Sequence, residues 1–231
     1  MSLILYDLAG ADPARRFSPY CWRVRLAIEH KGLSVETIPW RFTEKQTIAF
    51  SGQGLVPVLV DGDHTVFDKW KIAEYLEEAY PDRPSLFGGE RGQALAHFVT
   101  NWTSSVIAGH TIRLILTDIF AAIHDKDKEY FRQSREQRFG MPLEAVVEDP
   151  DTQVEELRRG LQPLRMSLAR TPYLSGDTPA WADYVAFGPF QWARSVSRFQ
   201  LVKSDDPVFS WRSRMIDLFH QAANNVHILG T

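Results

Sequence analysis

The chain has 231 residues, 44% hydrophobic and 24% charged, which suits a globular protein of one large or two small domains. A formal net charge of -3 argues against a nucleic-acid partner, which would call for a basic excess or stripe. No apolar run approaches the roughly 18 residues that cross a bilayer, so no membrane partner is expected. The N-terminus opens into a strand without a basic region or long apolar stretch. No secretory signal is therefore expected, and the cytoplasm is the default location. The single cysteine, Cys21, rules out an internal disulfide and any all-cysteine metal cluster. Seven Trp and fourteen Phe imply a bulky core, a cleft for a flat ligand, or both.

Residues 2–8 read as a strand and residues 18–31 as a helix with both ends written in. Ser18 is a good N-cap, Pro19 suits the first helical position, and Gly32 falls where a left-handed C-cap is easiest. A strand feeding a capped helix aims free amides and a positive dipole end beyond the strand's C-terminal end. Ser18 is there either a cap alone or the neighbour of a bound anion. Residues 35–38 form a second strand ended by Pro39, giving a parallel βαβ unit with a right-handed crossover. Residues 40–53 are irregular or hold a short helix. Residues 55–60 and 64–67 flank Asp61-Gly62-Asp63 and form a hairpin. Pro57 cannot donate to a ladder, so it is either an edge proline or part of a cis Val56–Pro57 bond that turns the Val56 backbone groups outward. Residues 68–79 form a helix with Asp68 at its start and an apolar stripe of Ile72, Leu76 and Ala79. Residues 80–84 break the chain, which places a first domain at 1–80, a linker at 81–90 and a second domain at 91–231.

From residue 91 onward no strand pattern occurs. A long helix over 91–123 carries Leu95, Phe98, Trp102 and Val106 at the spacing of one buried face. Asn101, Ser105 and Gly109 mark another face, either solvated or lining a cleft against the first domain. A charged helix follows at 126–138, a loop at 139–150, and a helix at 151–170 with a kink or break at Pro163. After a loop at 171–179 come helices at about 180–197 and 206–223. His30, His64, His97, His110, His124, His220 and His227 have no metal-ligand spacing, and no metal is expected.

The residues that carry a family resemblance are Ser18-Pro19-Tyr20 with Trp22-Arg23-Val24-Arg25 and Lys31-Gly32; Val56-Pro57-Val58-Leu59; Ile72-Ala73-Glu74-Tyr75-Leu76; and Gly176-Asp177 followed by Ala182-Asp183. In this order, over almost the whole chain, they resemble the cytosolic glutathione transferases. The first motif is most similar to serine-type classes such as plant tau and zeta. Asp68-x-Trp70, Asn101-Trp102 and Tyr130 with Ser134-Arg135-Glu136 look closer to bacterial lignin β-aryl etherases and their fungal relatives. The resemblance implies an α/β plus all-α fold: a thioredoxin-like N-terminal domain, an all-helical C-terminal domain, and a homodimer.

The resemblance also implies glutathione as cosubstrate, with Pro57 as the family's cis-proline and the Val56 backbone pairing with the cysteinyl part. Asp68 and position 69 would hold the γ-glutamyl end. Lys69 departs from the family's serine; it either answers the γ-glutamyl carboxylate as a cation or points to solvent and leaves the site weaker. Ala180 is a second departure. The family has Ser or Thr there, three residues before Asp183, so only half of a capping box remains and the lost cap should cost about 0.5–2 kcal/mol.

The implied reaction is attack by the glutathione thiolate on an electrophilic carbon or ether carbon. A free thiol with a pKa of about 8.5 is only a few per cent thiolate at pH 7. Lowering that pKa by ~2 units requires about 2.7 kcal/mol, which a Ser18 hydroxyl bond and the helix dipole can supply. Ser18 is then the catalytic residue without being the nucleophile. Cys21 is a rival, because Ser-Pro-Tyr-Cys resembles a Cys-x-x-Cys motif with its first cysteine replaced. Tyr20, Trp40, Asn101 and Ser105 are candidates for the substrate cleft. The expected function is a detoxification-type glutathione transferase acting on a small hydrophobic, aromatic electrophile, with β-aryl ether cleavage as one form. The alternatives are a non-catalytic glutathione- or ligand-binding protein of the same fold and a glutaredoxin-like reductase using Cys21.

Overall fold

Four short strands build one mixed sheet in the order β2-β1-β3-β4 in the computed structural model, which describes residues 3–219. Strand β1 (Leu3–Leu8) is central and buries Leu3, Leu5 and Leu8. It pairs in parallel with β2 (Val35–Trp40) and antiparallel with β3 (Val58–Asp61). Helix α1 (Pro19–His30) makes the crossover between β1 and β2. Strand β4 (His64–Phe67) completes the hairpin, with Gly62 at φ 57° in its tight turn.

Strand β2 does not end before Pro39, as the sequence predicts, but runs through it to Trp40. The Ala9 amide donates to the Trp40 carbonyl at 2.8 Å, so Trp40 faces β1. Its neighbour Pro39 therefore turns its nitrogen to the outer edge, where no ladder donor is required. Residues 45–51 form a short 3-10 helix anchored by buried Ile48. Helix α2 (Lys69–Ala79) buries Ile72, Ala73 and Leu76, while Ala79, expected on that stripe, is exposed at its end.

The second half is helical throughout its described part: α3 (Glu90–Trp102), α4 (Ala108–Ala122), α5 (Asp125–Phe139), α6 (Leu143–Val146), α7 (Pro150–Gly160), α8 (Gln162–Leu168), α9 (Trp181–Val196) and α10 (Pro207–Leu218). The break near Pro163 falls at Leu161, with Pro163 in the first turn of α8, where its missing amide costs nothing. The short α6 lies within the expected 139–150 loop. The end of the helix expected at 206–223 lies outside the described residues, as do His220 and His227.

Helices α3 and α4 join through a π turn at Thr103–Ile107 into one helical run of 33 residues, Glu90–Ala122. By length and composition alone this run could cross a membrane, contrary to the expectation that no stretch approaches that size. Its apolar side is nonetheless spent inside the protein, with Ile112, Leu114, Ile115, Leu116 and Ile119 buried. The buried face of α3 is also not the predicted one. Leu95 and Phe98 are 70% and 72% exposed, and Trp102 and Val106 are half-buried, whereas Ala96 and Thr103 are buried. Small residues form the inner face because neighbours approach closely: a Cβ on Gly92 would lie 1.9 Å from the Phe87 carbonyl oxygen.

Helix α9 is the strut shared by both halves, packing on α1 and on α3 and α4. It is buried on nearly every side, as suits a central helix, with Tyr184, Val185, Phe187 and Phe190 among its buried residues. Its start lacks a side-chain acceptor at Ala180, yet the buried Asp183 carboxylate accepts from the amides of Ala180 (3.3 Å), Leu174 (2.8 Å) and Ser175 (3.0 Å) and from the Trp211 indole (3.0 Å). These bonds tie the start of α9 to the preceding loop and to α10.

Candidate active site

Ser18 occupies the N-cap of α1 in extended conformation, and its Oγ accepts from the amides of Tyr20 and Cys21, both at 3.3 Å. A hydroxyl that accepts still has its proton to donate. The first turn of α1 is held from behind by α9. A Cβ on Gly188 would lie 2.7 Å from the Pro19 carbonyl oxygen and 3.3 Å from Arg23 Nε, so only glycine permits this approach. The Val56–Pro57 bond is cis and immediately precedes β3.

Ser18 opens onto a cavity of about 180 Å³ at the seam between the two halves. The N-terminal half contributes Tyr20, Trp40, Phe42, Leu55 and Val56 alongside Ser18. The helical half contributes Ile112, Ile119, Phe131, Arg135, Arg138 and Trp192. Two larger concavities lie elsewhere, one near Asp61 and Tyr75 and one near Arg194 and Arg212, and neither contains Ser18. Of the predicted residues, Ser18, Val56, Tyr20 and Trp40 share the seam cavity. Asn101 and Ser105 do not: both are exposed, and Ser105 Oγ is spent on the Asn101 carbonyl at 2.9 Å. The α4 residues that do reach the cavity, Ile112 and Ile119, lie beyond the π turn, which resets the helical phase by one residue.

Asp68 and Lys69 do not line this cavity; Lys69 meets it only through the Tyr20 ring. Asp68 has φ 71°, a conformation L side chains rarely adopt, and caps α2 by accepting from the Trp70 amide at 2.8 Å. Burial works against its charge, but the Lys69 bond and the Trp70 amide outweigh that and hold its carboxyl below the usual range. Lys69 Nζ lies 2.9 Å from Asp68 Oδ2 and 5.5 Å from the Tyr20 ring, so it turns toward the site. Below the same ring, at 5.2 Å, lies the buried Arg23 guanidinium, whose three nitrogens have no hydrogen-bond partner. Burial pulls Arg23 down to about 10, against the attraction of Tyr20 and Asp68.

Cys21 is fully buried. Burial, reinforced by the Asp7 carboxylate, pushes its thiol well above the ordinary value, the opposite of what a thiolate nucleophile needs. Among the described residues no group of three His, Cys, Asp or Glu side chains could hold a metal ion.

Sequence reasoning missed the loop that carries Phe42. Asp127 of α5 is buried and clasps that loop across the seam, accepting from the Phe42 amide (3.2 Å), the Thr43 amide (3.0 Å) and Thr43 Oγ1 (2.6 Å). It also missed Ile112, Ile119, Phe131 and Trp192; only Arg135 had a signal, as part of Ser134-Arg135-Glu136.

A thioredoxin-like sheet domain, with the N-terminus of its first helix facing a second, helical domain across a partly aromatic cavity, defines a class of two-domain proteins. Family models give this class its name. That for the glutathione S-transferase N-terminal domain matches residues 17–79, and that for the C-terminal domain matches residues 94–206. The chain belongs to the glutathione S-transferase family, whose enzymes are transferases. It is 27% identical over 202 residues to glutathione S-transferase 4 of Zea mays, covering 84% of this chain and 82% of that protein. A zeta-class glutathione S-transferase of Euphorbia esula is 34% identical over 91 residues, covering 37% of this chain and 40% of that one. Among solved structures, a glutathione S-transferase of Ceriporiopsis subvermispora in complex with glutathione superposes with a TM-score of 0.82 at 22% identity, over 96% of this chain and 97% of that one. Glutathione transferase GSTFuA2 of Phanerochaete chrysosporium gives 0.81 at 24% identity, over 99% of both chains.

Proposed function

We propose that this protein conjugates glutathione to a hydrophobic aromatic electrophile, with Ser18 stabilising the glutathione thiolate. The observation that carries this reading is the position of Ser18: it caps α1, so its hydroxyl and the helix dipole act on the same point, and it shares a cavity with aromatic walls and with Val56. In this reading the Val56 backbone pairs with the cysteinyl part of the tripeptide. The Asp68 carboxylate answers the γ-glutamyl ammonium, and Lys69 answers the γ-glutamyl carboxylate. Tyr20 and Trp40 flank the electrophile. Cleavage of a β-aryl ether, with an aryloxide as leaving group, is the special form suggested by the Asp68-x-Trp70 and Tyr130 motifs. A cytoplasmic site of action, where thiols stay reduced, belongs to the same reading.

Retention on immobilised glutathione, followed by conjugation of 1-chloro-2,4-dinitrobenzene, tests this function. Retention with turnover is expected; neither retention nor turnover would leave only a ligand-binding protein of the same fold. A guaiacyl β-aryl ether ketone, assayed for released guaiacol, tests the ether-cleaving form.

The reading includes a homodimer, favoured by the exposed apolar side chains of Leu95 and Phe98 on α3. Sedimentation analysis of the wild type should give twice the 26.4 kDa chain mass, and Phe98→Glu should shift it toward the monomer.

A further inference from the structure

The seam cavity has a one-sided charge. Its lining holds two arginines, Arg135 and Arg138, and no acidic side chain. Elsewhere on the same helix the cations are matched: Arg132, one turn earlier, pairs with Glu136 at 2.9 Å and Glu144 at 2.8 Å. Arg135 has no such partner among the described residues. Its guanidinium lies 4.6 Å from the Phe131 ring centre and 5.5 Å from that of Phe42, and its Nη1 donates one hydrogen bond to Ser134 Oγ at 2.9 Å. Burial pulls its pKa below the ordinary arginine value, opposed by Tyr130.

Arg135 is half-buried; a guanidinium partly withdrawn from water without a counter-charge carries part of the desolvation cost, and that cost falls when a ligand supplies the charge. The aromatic contacts hold the plane of the guanidinium, so its fork is presented in fixed orientation, which suits the two oxygens of a carboxylate better than a diffuse dipole. We propose that the electrophile is an aromatic carboxylic acid whose carboxylate is bound by Arg135, with Arg138 adding positive potential to the same cavity.

This inference rests on the glutathione transferase reading and narrows its substrate class. For a haloarene of this kind, the glutathione sulfur forms a C–S bond at the ring carbon bearing the halogen. The halide leaves with the C–halogen electron pair, the thiol proton passes to solvent, and the carboxylate emerges unchanged. Arg135 is thus a specificity-determining residue and touches no reacting atom.

The test compares glutathione conjugation of 4-chloro-3,5-dinitrobenzoate with that of its methyl ester, each rate divided by the uncatalysed rate in the same buffer. In the wild type the corrected kcat/KM should favour the acid at least tenfold, mostly through KM. Arg135→Gln should bring the ratio to about one, and Arg135→Lys should keep part of the preference. A wild-type ratio near one, or in favour of the ester, overturns the inference without any variant. A preference that survives intact in Arg135→Gln overturns the role of Arg135. Turnover of neither compound removes the transferase reading and this inference with it.

Discussion

Lys69 folds its ammonium back onto the carboxylate of the preceding residue, with Nζ 2.9 Å from Asp68 Oδ2. The family resemblance implies a serine at this position; here a cation neutralises the Asp68 carboxylate and, in the proposed binding mode, must share it with the γ-glutamyl ammonium. Lys69→Ser should therefore change KM for glutathione severalfold with little effect on kcat, read from initial rates at fixed electrophile. Asp68→Asn keeps a residue that tolerates positive φ and can still cap α2, so the fold should survive while KM for glutathione rises about tenfold or more. Because the folded Asp68 carboxyl titrates below its unfolded value of about 3.9, its stabilising effect is fully present above that pH. It is lost only as pH falls through the lower folded value. KM for glutathione in the wild type should accordingly show no Asp68-linked titration above about pH 5.

Ser18→Ala removes a cap and, in the proposed mechanism, a thiolate donor, and the two losses have different readouts. Loss of the cap should lower stability by about 0.5–2 kcal/mol in denaturant titration. Loss of the donor should move the rising limb of the kcat/KM pH profile toward the free-thiol value of about 8.5 and cut the rate at pH 6.5 by at least tenfold. An unmoved pH profile would assign Ser18 to capping alone.

Gly188 tests the mechanical support of that serine. The nearest atom to a new Cβ is the Pro19 carbonyl oxygen at 2.7 Å, a backbone atom that cannot rotate away. Gly188→Ala should shift the first turn of α1 and lower kcat severalfold, although residue 188 does not line the cavity. The stability cost should be about 1–3 kcal/mol, as for other overpacked sites.

Cys21 should be silent in the native protein. Its burial and raised pKa predict no reaction with a disulfide reagent such as DTNB over minutes at pH 8, and one equivalent released after denaturation. Fast native reaction would revive the reductase reading.

What could be read from the sequence was local. Ser18, Pro19 and Gly32 mark α1 by side-chain chemistry within a turn of each end, and Asp61-Gly62-Asp63 marks the hairpin by its glycine. The Asp127 clasp was invisible, because its partners lie 84 and 85 positions away and an isolated Asp in a charged helix carries no pattern. The same applies to Asp183, whose missing cap was legible while its indole partner, Trp211, lies 28 positions downstream. On α3 the error had a different origin. Leu95 and Phe98 satisfy the helical period, but periodicity tells which residues share a face and not whether that face is covered by the same chain. The α4 wall of the seam cavity was also hidden, since it follows a π turn that a regular 3.6-residue period cannot anticipate.

Pro39 has a consequence beyond the pairing of β2. The sheet is open along this strand, and an open strand is a template on which another unfolded or partly folded chain can lay its own backbone. Along the outward side of β2, the donor at position 39 does not exist, and the carbonyl of Thr37 is approached by Arg16 Nη2 at 3.5 Å. A would-be incoming strand meets a missing rung and an occupied one in succession. The residue that sequence reasoning took for the end of a strand is thus a guard against fibril-like growth, placed where the outer rim of the sheet is exposed to its neighbours in a crowded cell.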